Sequence, residues 1–78
     1  PTTTISYKIP ENAHVALKIY NTTGQKIATL VNGYQLAGIH QVRWNGKDDF
    51  GNQLPSGIYL YQIISGNFKK TGKMMLVK

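Results

Sequence analysis

The fold of this chain is decided by one stretch near its middle, which reads Trp44-Asn45-Gly46-Lys47-Asp48-Asp49-Phe50-Gly51-Asn52-Gln53-Leu54-Pro55-Ser56-Gly57-Ile58-Tyr59-Leu60-Tyr61. The stretch contains the only Trp, both Asp residues and three of the eight Gly, and it joins two segments of alternating polarity. Its middle part, 46–57, is too rich in Gly, Asn and Asp to form a strand. We therefore expect two successive turns here, with Leu54 folded back against the edge of a sheet.

The segments on both sides of this stretch are typical of β-strands, because apolar residues recur at every second position. Before it, His40, Val42 and Trp44 fall on one face of a strand predicted over 39–45, which directs the Trp inward. After it, the strand predicted over 58–65 is largely apolar on both faces. A strand with two apolar faces indicates a central position in a sheet.

The remaining strands are predicted over 2–9, 14–20, 26–31 and 68–77. Turns separate them: Gly24 lies in the turn over 21–25, and Gly66-Asn67 is a two-residue hairpin turn. The segment 32–38 shows no clean period and is interpreted as a loop with room for a short edge strand. Six to seven short antiparallel strands with frequent turns, and no helical spacing, predict an all-β fold, an immunoglobulin-like β-sandwich.

The composition fits one small domain over 1–78. A chain of 78 residues buries only about 60% of its unfolded surface, and without Cys it has neither disulfides nor thiolate zinc ligands. It contains no apolar run of 18 residues and no signal peptide, so direct membrane insertion is not expected. Because the chain opens at Pro1 without an initiator Met, we expect a piece excised from a larger secreted protein.

The formal net charge is +6, from nine Lys and Arg against three acids. A basic surface attracts nucleic acids, but no nucleic-acid-binding motif is present and the lysines are spread along the chain. Only Lys69, Lys70, Lys73 and Lys78 cluster. We expect these lysines to be solvated and to protect an edge strand against aggregation, without a nucleic-acid partner.

The chain offers little for catalysis. Paired carboxylates must face each other across a substrate, and Asp48 and Asp49 are neighbours on a loop. The Ser residues lack the context that activates a nucleophile. His14 and His40 are too few for a zinc site. We expect a domain that is not an enzyme and has neither a catalytic centre nor a cofactor.

Two binding hypotheses remain open at this point. Asn45, Asp48, Asp49 and Asn52 form an oxygen-rich loop of the kind that holds calcium, although Asx-turns explain the same residues without a metal. Tyr20 and Tyr34 are candidates for an exposed sugar-stacking platform. That platform would suit a carbohydrate-binding accessory module of a secreted glycoside hydrolase.

A family resemblance covers essentially the entire chain. It rests on Thr3-Thr4-Ile5-Ser6-Tyr7, on 15–20 followed by Asn21 and Gly24, on Leu30-Val31, on 38–46, on Asp48, Gly51 and Pro55-Ser56-Gly57-Ile58-Tyr59, and on Lys73-Met74. In these residues the chain resembles the type A C-terminal sorting domain of type IX secretion substrates, which is similar in fold to the immunoglobulin-like domain of the flagellar hook-capping protein. The residues that carry the pattern most specifically are Trp44, Asn45, Gly46, Asp48, Gly51, Gly57 and Tyr59.

The resemblance implies a non-catalytic tail module of an exported protein from a Gram-negative bacterium. Such a tail is recognised in the periplasm by outer-membrane secretion machinery, and in many substrates a sortase-like peptidase removes it as the cargo is anchored at the cell surface. We expect a monomer whose last strand and basic tail are recognised, with the residues Phe68, Lys69, Lys70, Lys73, Met74 and Lys78. A structural or assembly spacer is the alternative.

The chain departs from the family pattern at two places. The upstream Asn-Pro-Phe-Asn-Pro run is cut to Pro1, and Gly72 stands where a second Lys is common before Lys73-Met74.

Overall fold

Six antiparallel strands in two layers make up the fold, in a computed structural model that describes residues 2–77. The strands, β1 to β6 in chain order, are Thr3–Ile9, Ala13–Tyr20, Lys26–Gln35, Gly38–Trp44, Gly57–Ser65 and Phe68–Leu76. β1 pairs with β4 in one layer, and the other layer has the order β3-β2-β5-β6. Among these described residues no helix is long and apolar enough to cross a membrane. The predicted immunoglobulin-like sandwich is confirmed.

The core lies between the two layers and follows the predicted alternation. In β1 and β2 alternate residues are buried, and each of the other four strands adds one or two side chains to the cluster. Its members are Ile5, Tyr7, Ile9, Val15, Leu17, Ile19, Ala28, Trp44, Tyr59, Ile63 and Leu76. β5 has a partner on each side, β2 and β6, so the predicted central position is also confirmed.

β3 differs from the sequence prediction, because it continues through the expected loop over 32–38 as far as Gln35. Its ladder with β2 shifts register twice, between Leu17 and Lys18 and between Ile19 and Tyr20. Each shift leaves one residue of β3, Leu30 and Ile27, without a direct partner. Both β-bulges lie in the first half of β3, which the sequence predicted as a strand. The second half pairs regularly with β2, and the prediction missed it because Asn32 and Gly33 are residue types that are uncommon in strands.

The connection 45–56 between β4 and β5 is a narrow hairpin with a tight tip. Leu54 N–H donates to the Gly46 carbonyl at 2.8 Å, and Lys47 pairs with Gln53 as an isolated bridge. At the tip, Asp48 N–H donates to the Asn52 carbonyl at 3.0 Å. Leu54 is half-buried and packs against the core, as predicted.

Candidate functional site

Trp44 and Tyr59 hold the two ends of the connection against the core. The rings come from opposite layers and meet edge to face, with centroids 5.1 Å apart and planes at 71°. Trp44 Nε1 donates to the Lys47 carbonyl at 3.0 Å, and the Tyr59 hydroxyl donates to the Pro55 carbonyl at 2.7 Å. Aromatic side chains that are buried with their polar atoms bonded combine large apolar area with a fixed orientation. Both residues therefore have a structural role.

Gly46 is required where the hairpin folds over the end of β6. Its φ is 77°, a left-handed conformation that favours glycine. A Cβ at this position would lie 2.7 Å from Gln53 Nε2 and 3.0 Å from Leu76 Cδ2. The same Gln53 Nε2 donates to the Gly46 carbonyl at 3.0 Å. Packing and backbone conformation thus explain why the Trp-Asn-Gly sequence occurs here.

Two of the calcium candidates, Asn45 and Asp48, form Asx-turns in the hairpin. Asp48 Oδ1 accepts the backbone N–H groups of Phe50 and Asn52, each at 2.9 Å, and Asn45 Oδ1 accepts Lys47 N–H. The backbone N–H of Asn52 is the main cause that holds the pKa of Asp48 below its usual value of 3.8. The described residues contain no group of three or more His, Cys, Asp or Glu arranged to hold a metal ion. The Asx-turn explanation accounts for Asn45 and Asp48, and the Asn52 side chain bonds the Asp48 carboxylate. Gly51 closes the same turn by donating to the Asp48 carbonyl.

Asp49 caps the exposed edge of β3. Its N–H donates to the Ile27 carbonyl and its Oδ1 accepts Thr29 N–H, both at 3.0 Å. These two backbone groups lie on either side of Ala28, next to the bulge at Ile27, and point away from β2. Edge strands carry unpaired backbone groups that invite another strand, and proteins cover such groups with bulges or loops. The hairpin tip therefore covers the edge of β3 at these two backbone groups.

β6 forms the opposite edge of the same sheet and pairs only with β5 among the described residues. The turn Gly66-Asn67 makes Ser65 and Phe68 a hydrogen-bonded pair, and hydrogen-bonded pairs then alternate with non-bonded ones along the ladder. The backbone groups of Phe68, Lys70, Gly72 and Met74 accordingly face β5. The outward-facing groups belong to Lys69, Thr71, Lys73 and Met75.

The predicted recognition residues lie along this open edge. Lys69, Lys70 and Lys73 are exposed, whereas Phe68 and Met74 are half-buried against the core. Lys78 lies outside the described residues. Beside the end of the strand, a hollow of about 280 Å³ is lined by Ile58, Lys73, Met74 and Met75.

The ring of Tyr61 explains why position 72 is a glycine. These residues are partners in the β5–β6 ladder, and a Cβ on Gly72 would lie within 2.2 to 2.4 Å of three Tyr61 ring and hydroxyl atoms. The tyrosine covers the glycine backbone, so a second lysine at this position would displace the ring. Lysine residues remain at 69, 70 and 73.

Comparison with known proteins identifies the family. The profile of the FlgD Ig-like domain family matches residues 2–67 of this chain. The chain belongs to the FlgD Ig-like domain family. None of the curated proteins compared matches it.

Two solved structures resemble this FlgD Ig-like domain. FlgD from P. aeruginosa superposes with a TM-score of 0.79 at 28% identity, over 96% of this chain and 58% of that one. PorZ, an essential surface component of the type IX secretion system of Porphyromonas gingivalis, gives a TM-score of 0.62 at 19% identity, over 96% of this chain and 11% of PorZ. The likeness to PorZ shows the fold alone, and this chain spans little more than half of FlgD.

The family match stops at residue 67, immediately before β6. The strand that carries the predicted recognition residues thus lies outside what the profile describes, although the superposition on FlgD covers nearly all of this FlgD Ig-like domain. Family membership consequently establishes the fold, and the role of β6 depends on the residues of that strand.

The other candidates are dispersed over this FlgD Ig-like domain. His40 stacks on Tyr7 with ring centroids 5.5 Å apart, and its Nε2 lies 2.7 Å from the Leu36 carbonyl. Burial is the main cause that raises the pKa of Tyr7, whose hydroxyl donates to Gln35. His14 pairs with Tyr34, while Tyr20 lies at the other end of β2, so the two tyrosines do not form one platform. Carbohydrate binding stays a prediction.

Two features of this FlgD Ig-like domain were missed by sequence reasoning. The first is the capping role of Asp49, which depends on a contact across 20 residues that no local pattern announces. The second is a hollow of about 180 Å³ beside the β5–β6 turn, which Glu11 and Ser65 help to line. The Ser65 hydroxyl is buried there and finds no hydrogen-bond partner among the described residues.

Proposed function

We propose that this domain is a non-catalytic sorting and anchoring module, which directs an exported protein through the type IX secretion pathway to the cell surface. The proposed partner is outer-membrane secretion machinery in the periplasm of a Gram-negative bacterium, followed by a sortase-like peptidase in substrates that are cleaved. The observation that carries the proposal is the contrast between the edges of the four-stranded sheet. Asp49 caps β3, whereas β6 presents unpaired backbone groups beside exposed lysines.

An open edge strand suits recognition by strand addition. In this mode a partner segment extends the sheet, backbone hydrogen bonds supply affinity, and neighbouring side chains supply specificity. The resemblance of the chain to type IX sorting domains supports this reading. The fold of PorZ, a component of that secretion system, is compatible with it.

The experiment blocks strand addition without removing the strand. Thr71 has an outward-facing N–H, so Thr71→Pro deletes one donor on the open edge and keeps the ladder to β5, an arrangement that edge strands tolerate. Thr71→Val is the matched control, because it keeps the N–H and a β-branched side chain. Each variant is fused as the last domain of a fluorescent reporter in a bacterium with a type IX system, and surface and periplasmic fractions are measured.

We expect the original domain and Thr71→Val to bring the reporter to the surface, and Thr71→Pro to leave it in the periplasm. A strain without the translocation machinery serves as the second control. Equal surface display of all three variants would show that the β6 edge is not the sorting signal. Display in the strain without the machinery would exclude the type IX route.

A second candidate function is favoured by the likeness to FlgD. At 28% identity and a TM-score of 0.79, FlgD is more similar to this domain than PorZ is. The domain would then be a structural or assembly module of the hook-capping type. Flagellar genes beside the parent gene, together with loss of hook assembly after its deletion, would support this function over sorting.

A further inference from the structure

The side chains on the outer side of β6 determine what kind of partner strand could bind there. The side chains of Lys69, Thr71 and Lys73 lie on the outer face of the sheet, because the alternate residues Phe68, Met74 and Leu76 pack inward. Together with Met75, these three residues supply the outward-facing backbone groups. A partner strand would therefore lie directly beside two lysine side chains on one face.

One acid lies near the start of β6, where Glu11 and Phe68 line the same hollow, and none lies within β5 or β6. The three acidic residues of the chain are Glu11, Asp48 and Asp49. Glu11 lies in the turn between β1 and β2, and the two aspartates lie in the hairpin tip that reaches β3. β5 and β6 contain only neutral and basic residues. The edge thus presents positive charge that is available to a partner.

The hollow beside the end of β6 adds an apolar requirement. Ile58 and Met75 are partners in the ladder, and they line the hollow with 43% and 61% of their surfaces exposed. Exposed apolar side chains around a concave surface are typical of interaction sites. The hollow of about 280 Å³ is near the lower limit for a drug-sized ligand and suits one large side chain.

From this arrangement, and resting on the proposed function, we infer that β6 binds an extended acidic segment with one large apolar residue. An antiparallel partner would place the apolar residue opposite Met75, in the hollow. Acidic residues two and six positions later would then lie opposite Lys73 and Lys69, which are separated by about 13 Å along the strand. The pattern of the partner is thus an apolar residue, then acids at the third and seventh positions.

The test uses the 78-residue chain and fluorescein-labelled nine-residue peptides. The probe has Leu at position one, Glu at positions three and seven, and Thr elsewhere, and the matched control has Lys in place of both Glu. Fluorescence anisotropy measures the affinity of each peptide for the original chain, Thr71→Pro and Thr71→Val. A third peptide is the probe N-methylated at the backbone positions that face β6. It tests strand addition without any change to the protein, so the test remains possible if Thr71→Pro does not fold.

We expect the Lys peptide to bind at least about tenfold more weakly than the Glu peptide, because like charges replace opposite ones. Thr71→Pro and N-methylation should each weaken binding by about tenfold or more, and Thr71→Val by less than about twofold. Added salt should weaken the Glu peptide specifically.

Two results would overturn the inference. Equal binding of the Glu and Lys peptides would exclude an acidic partner, and tight binding of the N-methylated peptide would exclude strand addition. The export assay separates this inference from the proposed function. If Thr71→Pro blocks export while no acidic peptide binds, the sorting function stands and the acidic class is wrong. If the acidic peptide binds while export is unaffected, the interaction stands and the sorting function is wrong.

Discussion

The two edges of the four-stranded sheet solve the same problem in different ways. At β3, two bulges disturb the ladder, and Asp49 bonds the Ile27 carbonyl and the Thr29 N–H beside one of them. At β6, the ladder with β5 is regular, no loop of the described residues covers the outer backbone groups, and only lysines discourage association. One edge is partly capped by a loop, and the other is protected by lysines and stays accessible. A sheet with such unequal edges has one direction in which a partner can be added.

The largest expected effect on the free energy of unfolding comes from a Gly→Thr substitution, made once on β6 and once on β3. Gly72→Thr puts a Cβ against the Tyr61 ring and should destabilise the fold by about 1 to 3 kcal/mol through overpacking. Gly33→Thr on β3 meets open space and should stabilise by about 0.5 kcal/mol, since it restricts the unfolded chain. Urea denaturation measures both free energies of unfolding.

A double-mutant cycle sharpens this prediction. In a Tyr61→Ala background the cost of Gly72→Thr should largely disappear, because the ring that it displaces is absent. If Gly72→Thr costs the same with and without the ring, steric conflict with Tyr61 does not explain the glycine.

The next largest effect on stability is expected from removing the Asp49 side chain, which caps β3. Asp49→Ala removes the acceptor of Thr29 N–H and should cost about 1 kcal/mol, the usual value of one hydrogen bond. Asp49→Asn keeps a carbonyl oxygen and should cost less. Amide hydrogen exchange followed by NMR should show faster exchange at Thr29 in the alanine variant only. Unchanged exchange would mean that Asp49 does not close this edge.

The smallest effect is the pH dependence of the hairpin tip. Because the pKa of Asp48 is lower in the folded chain than in the unfolded one, its stabilisation is present above the unfolded value and is lost as pH falls through the folded value. Asp48→Asn should therefore lower the thermal midpoint near neutral pH. The difference from the original chain should shrink below about pH 4. A difference that stays constant with pH would contradict a role for the carboxylate charge.

The sequence predicted most of the fold because its information is local. Alternation located the strands, the two apolar faces of β5 placed it centrally, and the density of Gly, Asn and Asp identified the connection after Trp44. The prediction was wrong for the second half of β3, where Asn32 and Gly33 indicate a loop although the ladder with β2 is regular there. The capping role of Asp49 was not predictable either, since it depends on which strand the hairpin tip reaches in three dimensions.

The candidate site was predictable in position and less so in character. The basic cluster and the last strand indicated β6, and the structure places that strand at an edge. Which residues of β6 have outward-facing backbone groups depends on the alternation of bonded and non-bonded pairs, and the turn Gly66-Asn67 sets this alternation. These residues can be named only when the β5–β6 register is known. The hollow at Ile58 and Met75 depends on which residues are partners across two strands. Recognition of a partner by these residues stays a prediction.

The register of the ladders also has a mechanical consequence. Thr3 pairs with Trp44, and Leu76 lies against Gly46, so the start of β1 and the end of β6 are at the same end of the sandwich. A force that pulls these two points apart acts across the strands and opens their ladders one bonded pair at a time. Geometries of this kind yield at low load, whereas strands pulled along their length must shear all their hydrogen bonds together. Single-molecule force spectroscopy with handles at Thr3 and Leu76 should therefore record a soft, easily extended module, and a high rupture force would contradict this geometry.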